Sequence, residues 1–326
     1  MRTTMSRHSL LLRFSVVAGA LLGLVSASSH VSAADALLPV KIAVIPTLDA
    51  GPLLLAKEKG IFAKHGLDAS INAGGTGATI IPTVLSGQFG IGYANVVSDL
   101  EAIDAGLPLL LVHATYAHPS DPKHDPYRVY VAPNSRIRDA KALAQANIGT
   151  SSVRNIAEWT TRKSLENLGV TDFSKLRWTK VTGDDAYATV KNGTLDAVWL
   201  PQPTGAAAVA QGLVPILSAN SGSLPGAVGG YFITSKAYAS QNGEVLRRFN
   251  AAIDEANRYA TDHPQEGKDA VVRALRFDRK LVDAADLNEY PNDPGLAKLK
   301  VIANDLLRYG LIRKLPDVEQ IFWHPN

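Results

Sequence analysis

From residue 40 onward, short apolar runs alternate with stretches in which apolar residues recur every three or four positions. Residues 40–45 form the first run and predict a strand. Asp49-Ala50-Gly51-Pro52 then opens a helix, with Pro52 in the first turn, where a missing N–H costs little. Leu53, Leu54, Ala56 and Ile61 make its apolar face, and Lys57, Glu58 and Lys59 its solvated one. Residues 67–72 alternate apolar and polar, the mark of a half-buried strand. A glycine-rich turn at 73–77 leads into a helix that ends near 86–87. A strand at 89–93, a helix at 96–105 and a strand at 107–114 complete this set. Strands alternating with helices imply a mainly parallel sheet.

Residues 118–126 interrupt the pattern with Pro119, Pro122 and Pro126 among polar residues. A second set follows, with strands at 128–131, 146–149, 176–181, 196–200 and 214–218. Its helices fall at 139–145, 155–167, 184–191 and 204–211. Another Gly- and Pro-rich stretch, 221–230, precedes a return strand at 231–234, and the chain is chiefly helical from 243. The pattern is therefore α/β in two lobes, 34–127 with 228–326 and 128–227, joined by a hinge of two crossings. A cleft between lobes, at the carboxyl ends of parallel strands, is where small ligands bind.

The first 33 residues change the charge argument. Arg2, Arg7 and Arg13 precede an apolar stretch at 14–25, and small residues such as Val31 and Ala33 suit a cleavage site. This is the pattern of a secretory signal peptide, too short in its apolar run for a membrane span. The chain carries 33 basic and 30 acidic residues, and the three leader arginines are the whole difference. A neutral mature chain offers no basic field for nucleic acid. There is no cysteine, hence no disulfide, thiolate nucleophile or lipid-bearing Cys after the leader. A freely diffusing periplasmic monomer is expected.

Few residues suggest chemistry. Gly74-Gly75-Thr76-Gly77 lets backbone N–H groups approach an anion at a helix start, or makes an ordinary turn. No Gly-Lys-Ser/Thr follows it, so it is not a phosphate loop of the Walker type. Ser151 and Ser152 suit helix capping, a ligand, or both. Arg154 fits a carboxylate or sulfonate in a fork, or serves as a solvated cation. Tyr93, Tyr116 and Trp199 lie near strand ends, where a ring walls in a ligand or fills the core. Asn95 and Gln202 offer hydrogen bonds to a ligand or to their own turns. His113 and His118 lack the spacing of a metal site. Asp184 and Asp185 are explained by a helix dipole, and no Ser-His-Asp order with a nucleophile elbow occurs.

The strings IAVIPT at 42–47, PLLLAKEKGIFAKHGL at 52–67, GGTGA at 74–78 and LSGQFGIGYA at 85–94 carry a resemblance. Together with GTSS at 149–152 and LDAVWLPQP at 195–203, the chain resembles the nitrate, aliphatic-sulfonate and taurine substrate-binding family of ABC importers. The thiamine-pyrimidine-precursor and aromatic-acid binders belong to the same superfamily. The resemblance implies a type II periplasmic-binding fold, no cofactor or metal, and a membrane permease as partner. It also implies that loops after strands hold a small, anionic organic ligand. Those loops carry Thr47, Leu48 and Asp49; Gly75, Thr76, Gly77 and Ala78; Asn95; and Ser151, Ser152 and Arg154. Pro82 departs from the pattern and, placed in a first turn, would start its helix late. Enzymes of the same fold, of pyrimidine-forming or menaquinone-pathway type, are the alternative, and an extracellular sensing or adhesive protein a third class.

Overall fold

The computed structural model describes residues 36–182 and 185–325. The leader expected at 1–33 and Asp184 lie outside the described residues. Among the described residues ten strands form two five-stranded sheets: β1 (Leu38–Val44), β2 (Leu67–Ala73), β3 (Ile91–Asn95), β4 (Leu109–Ala117), β5 (Tyr127–Val131), β6 (Asn147–Thr150), β7 (Arg177–Lys180), β8 (Ala197–Pro201), β9 (Val214–Ser218) and β10 (Val228–Ser235). The first sheet has the order β2-β1-β3-β10-β4 and the second β7-β6-β8-β5-β9.

Each sheet is parallel except for its fourth strand. β10 runs antiparallel to β3 and β4, and β5 runs antiparallel to β8 and β9. Each exception is the strand reached directly after the chain passes from the other sheet. The passages are 118–126 and 219–227, and they are tied to each other. His118 and Ala227 bond through N–H to O at 2.8 Å, as do Gly226 and His118. The buried Asp125 carboxylate accepts from Ser221 N and Oγ, each at 2.8 Å, and from Tyr127 N at 2.9 Å. Burial pushes the Asp125 carboxyl up to about 6.

The central strands of each sheet are apolar because helices cover both faces. Ile42, Val44, Ile91, Leu111 and Ile233 are fully buried in the first sheet, and Val129, Ile148 and Ala197 in the second. The sequence pattern differs from the structure at Pro82. The helix starts at once, Gly77–Leu85, with Pro82 in its interior. Thr79 fixes the early start: its hydroxyl accepts from Thr76 N (2.9 Å) and donates to Thr76 O (3.0 Å). Pro82 then removes only the bond to the Ala78 carbonyl, a tolerable loss in so short a helix.

The C-terminal third does not pack on the first sheet alone. The helix Leu296–Arg308 lies on the helix Ile156–Asn167 of the second. Trp159 Nε1 donates to Asp305 Oδ2 at 3.3 Å, and Arg308 pairs with Glu166. Beyond it, Arg313 pairs with Asp104 at 3.2 Å, and Leu111 bridges Phe322, both on the first-sheet side.

Candidate functional site

The loops that follow β1, β2, β3 and β6 meet at one narrow cavity, where the centre of a water molecule can range over about 60 Å³. Four of its wall residues are helix N-caps. Thr47 precedes the 3₁₀ turn Leu48–Ala50 that runs into the helix Gly51–Glu58. Thr76 caps Gly77–Leu85, Asn95 caps Val96–Asp104, and Asn155 caps Ile156–Asn167. Their positive dipole ends therefore converge on one space.

The caps are built from short polar side chains that their own turns hold. Asn95 Oδ1 accepts from Ser98 N (3.1 Å), and its Nδ2 donates to Ser98 Oγ (3.0 Å). Asn155 Oδ1 accepts from Ala157 N at 3.0 Å. At the start of the helix Gly77–Leu85, the N–H groups of Gly77 and Ala78 meet no protein acceptor among the described residues. Gly75 makes the turn before them with φ +82°, and a Cβ there would lie 2.3 Å from Thr79 Oγ1.

Opposite stands an aromatic wall. Tyr116 and Tyr127 stack at 5.7 Å, Tyr127 meets Trp199 at 5.1 Å, and Tyr93 packs edge-on to Tyr116 at 6.5 Å. Behind it lies the buried Asp49 carboxylate, which accepts from Asn288 Nδ2 (2.8 Å), Thr47 Oγ1 (3.2 Å), Tyr93 OH (3.4 Å) and Tyr127 OH. Burial raises the Asp49 carboxyl above its ordinary range, while these four donors pull it back. Burial pushes the Tyr93, Tyr116 and Tyr127 hydroxyls well up, so the rings stay neutral. Trp199 is only 4% exposed, and its Nε1 has no hydrogen-bond partner among the described residues.

Of the residues singled out in the sequence, Thr47, Thr76, Gly77, Ala78, Asn95, Tyr116, Ser151, Ser152 and Trp199 line this cavity, as does Tyr93. Leu48 is core, and Asp49 and Gly75 support the wall from behind. Gln202 is buried and accepts from Ala206 N at 3.0 Å. Arg154 stands outside the lining. Its guanidinium takes Glu101 at 3.0 Å and the carbonyls of Leu311 (2.8 Å) and Gly310 (3.3 Å). His113 pairs with Asp254, and His118 is buried between Tyr116 and Trp159, which lowers it to about 3 and keeps it neutral.

Sequence reasoning missed Ser98, Tyr127, Asn155 and Pro201, with the apolar Ile45 and Ile156. Asn155 and Ser98 had a legible signal, since each belongs to a cap just ahead of an apolar-periodic run. Tyr127 had none, because only the passage between sheets brings it there. Among the described residues, the lining contains no Lys, Arg, His, Asp or Glu. Among the described residues no cluster of three or more His, Cys, Asp or Glu is arranged to hold a metal.

Two sheets with an exchanged antiparallel strand, and a cavity at their facing loops, define a periplasmic-binding-protein fold. The chain belongs to the NMT1/THI5 like family, whose model matches residues 48–267. It is 24% identical over 319 residues to an Escherichia coli K12 protein named for binding aliphatic sulfonates, covering 94% of this chain and 96% of that one. The alkanesulfonate-binding protein of Xanthomonas axonopodis, solved with MOPS bound, superposes with a TM-score of 0.71 at 16% identity, over 87% of this chain and 98% of that one. The periplasmic nitrate-binding protein of Synechocystis gives 0.68 at 14% identity, over 87% and 85%. The desulfurization enzyme DSZB shares the fold as well, with a TM-score of 0.61 at 16% identity over 87% and 96%.

Proposed function

We propose that this chain is a periplasmic solute-binding protein that captures a small organic anion and delivers it to the permease of an ABC importer. The carrying observation is the lining itself: converging helix N-termini, free amides at Gly77 and Ala78 and the unpaired Trp199 N–H surround a cavity without a charged side chain. Each helix start favours a nearby negative charge by about 0.3–1 kcal/mol, and more where burial removes water. Binding by fixed dipoles leaves no unpaired cation buried when the ligand is gone.

The rings define the rest of the ligand. The hydroxyls of Tyr93 and Tyr127 are committed to Asp49, so the wall offers apolar faces to an alkyl or aryl group. A sulfonate or carboxylate on such a group fits best. A taurine-like ammonium fits less well, because Asp49 already accepts from four donors. The names of the sulfonate-binding relatives support the same class. In this reading 34–127 with 228–326 and 128–227 are the lobes, and they close about 118–126 and 219–227.

Calorimetry with benzenesulfonate, octanesulfonate, benzoate, taurine, nitrate and a neutral aminopyrimidine tests it, with mass spectrometry of each mixture for product. The expected result is tight, unaltered retention of an aryl- or alkylsulfonate or a carboxylate. Tight binding of the neutral pyrimidine with no response to anions would overturn the anion reading. Release of sulfite or another product would replace transport by catalysis.

A further inference from the structure

Arg154 lies at the seam between the two sheets. It sits in the loop between β6 and the Ile156 helix, and its backbone is left-handed at φ 53°, uncommon for a side chain of this kind. Three contacts hold it there, to Glu101 Oε1 and to the carbonyls of Gly310 and Leu311. Glu101 belongs to the Val96 helix, which packs on β3, β4 and β10 of the first sheet. Any motion that parts the sheets therefore pulls Glu101 away from Arg154.

The surroundings of Glu101 make that contact unusual. Its side chain is 24% exposed, and it faces Glu158 of the Ile156 helix as well as Arg154. Asp104 lies one turn along its own helix. Glu158 is engaged by Arg162 at 3.4 Å and Asp104 by Arg313 at 3.2 Å, so Arg154 is the cation nearest to Glu101. Closing the sheets thus takes the Glu101 carboxylate out of water beside one half-exposed cation and a second carboxylate.

We propose that Arg154 and Glu101 are the positioning pair that holds the sheets closed over the cavity, and that closing takes up a proton at Glu101. The proposal rests on the binding-protein reading for its purpose, though not for its test. Burial is the larger influence on Glu101 and outweighs Arg154, holding its carboxyl up at about 7. Once the sheets part, the carboxyl regains water and its ordinary range near 4.5. The closed form then binds the proton more tightly, so its advantage is full below the open-state value and is lost as pH rises through about 7. Between pH 8 and pH 6 closure should become about tenfold more favourable.

The chain lacks cysteine, so labels can be placed at will. Spin labels on cysteines introduced at the exposed Leu107 and Leu168 report the distance between sheets without any ligand. The short-distance population should grow on lowering pH from 8 to 6 in the parent chain, and should respond much less in Glu101→Gln, where Glu158, also raised by burial, is the carboxyl left at the seam. Arg154→Ala should lose short distances at pH 8, and Arg154→Lys should restore part of them. Benzenesulfonate affinity, measured in parallel, should tighten about tenfold over the same interval in the parent and by clearly less in Glu101→Gln. A pH-independent distance distribution in the parent, or an undiminished response in Glu101→Gln, overturns the proposal. Failure of benzenesulfonate to bind any variant counts against the ligand class alone, since the distances decide the closure.

Discussion

Trp199 and Asp49 occupy opposite sides of the same wall and show two fates of a polar group in a closed site. Asp49 is held by four donors, and through them it fixes Thr47, Asn288 and the two tyrosines of the wall. Trp199 keeps a buried N–H with nothing to receive it, a costly state unless a ligand supplies the acceptor. Trp199→Phe keeps an aromatic face and deletes the donor together with the five-membered half of the indole, leaving space beside Tyr127. It should weaken benzenesulfonate binding by at least about 1.5 kcal/mol, the lower worth of a hydrogen bond to a charged group, and lower the melting temperature through the space it leaves. Calorimetry and a thermal scan of this variant check both halves; equal affinity would mean that the N–H does not meet the anion. The type of residue was legible at Trp199 and Asn95, where aromatic and amide side chains follow apolar runs. The role of Arg154 was not. Its local sequence fits an anion fork as well as a seam contact, and only the three-dimensional placement of Glu101 and Leu311, 53 and 157 positions away, separates them.

At the scale of elements, capping signals explain why so much of the order of strands and helices was readable. Asn95 and Asn155 stand at real helix starts, and the apolar runs at 40–45 and 214–218 fall on β1 and β9. The direction of β5 and β10 was not readable, because a strand's apolar pattern is the same whichever way it runs. Pro82 misled for a similar reason: its cost is one lost bond, and the Thr76–Thr79 cap outweighs it. That cap also brings two helix starts close together. A Cβ on Gly77 would stand 3.0 Å from Ser98 Cβ and Oγ and 3.3 Å from Ala94 Cβ. An alanine in a helix usually gains about 0.5–1 kcal/mol over glycine. Here crowding of about 1–3 kcal/mol should reverse the sign. Gly77→Ala should therefore lose stability by about 1 kcal/mol and bind benzenesulfonate at least several-fold more weakly, as the Gly77 and Val96 helix starts are pushed apart. Gly267→Ala, in a helix with nothing within 4 Å of the added carbon, should instead gain stability. Urea melts of the pair, with calorimetry on the first, test the argument; equal gains at both sites would show that the Gly77 contact yields freely.

At the scale of the whole molecule, charge and closure decide how a ligand is held. Basic and acidic residues balance once Arg2, Arg7 and Arg13 of the expected leader are set aside, and such a mature chain has no long-range field to draw an anion in. On the proposed reading, what attracts it lies inside: oriented amides, helix ends and one indole N–H around the cavity, with the Arg154–Glu101 contact outside it. Salt screens charges that water can reach and does little inside a site from which ions are excluded. A binding site built on surface lysines or arginines would lose affinity steeply as salt rises. This one should not. Benzenesulfonate affinity is expected to change by less than about threefold between 0.05 and 0.5 M sodium chloride, across which the screening length falls from well over 10 Å to a few. The measurement is a calorimetric titration at four salt concentrations at fixed pH, with sodium gluconate replacing chloride in one series to separate screening from competition by chloride in the cavity. A tenfold loss common to both salts would mean that exposed cations, and not the fixed dipoles of the helix starts, hold the anion.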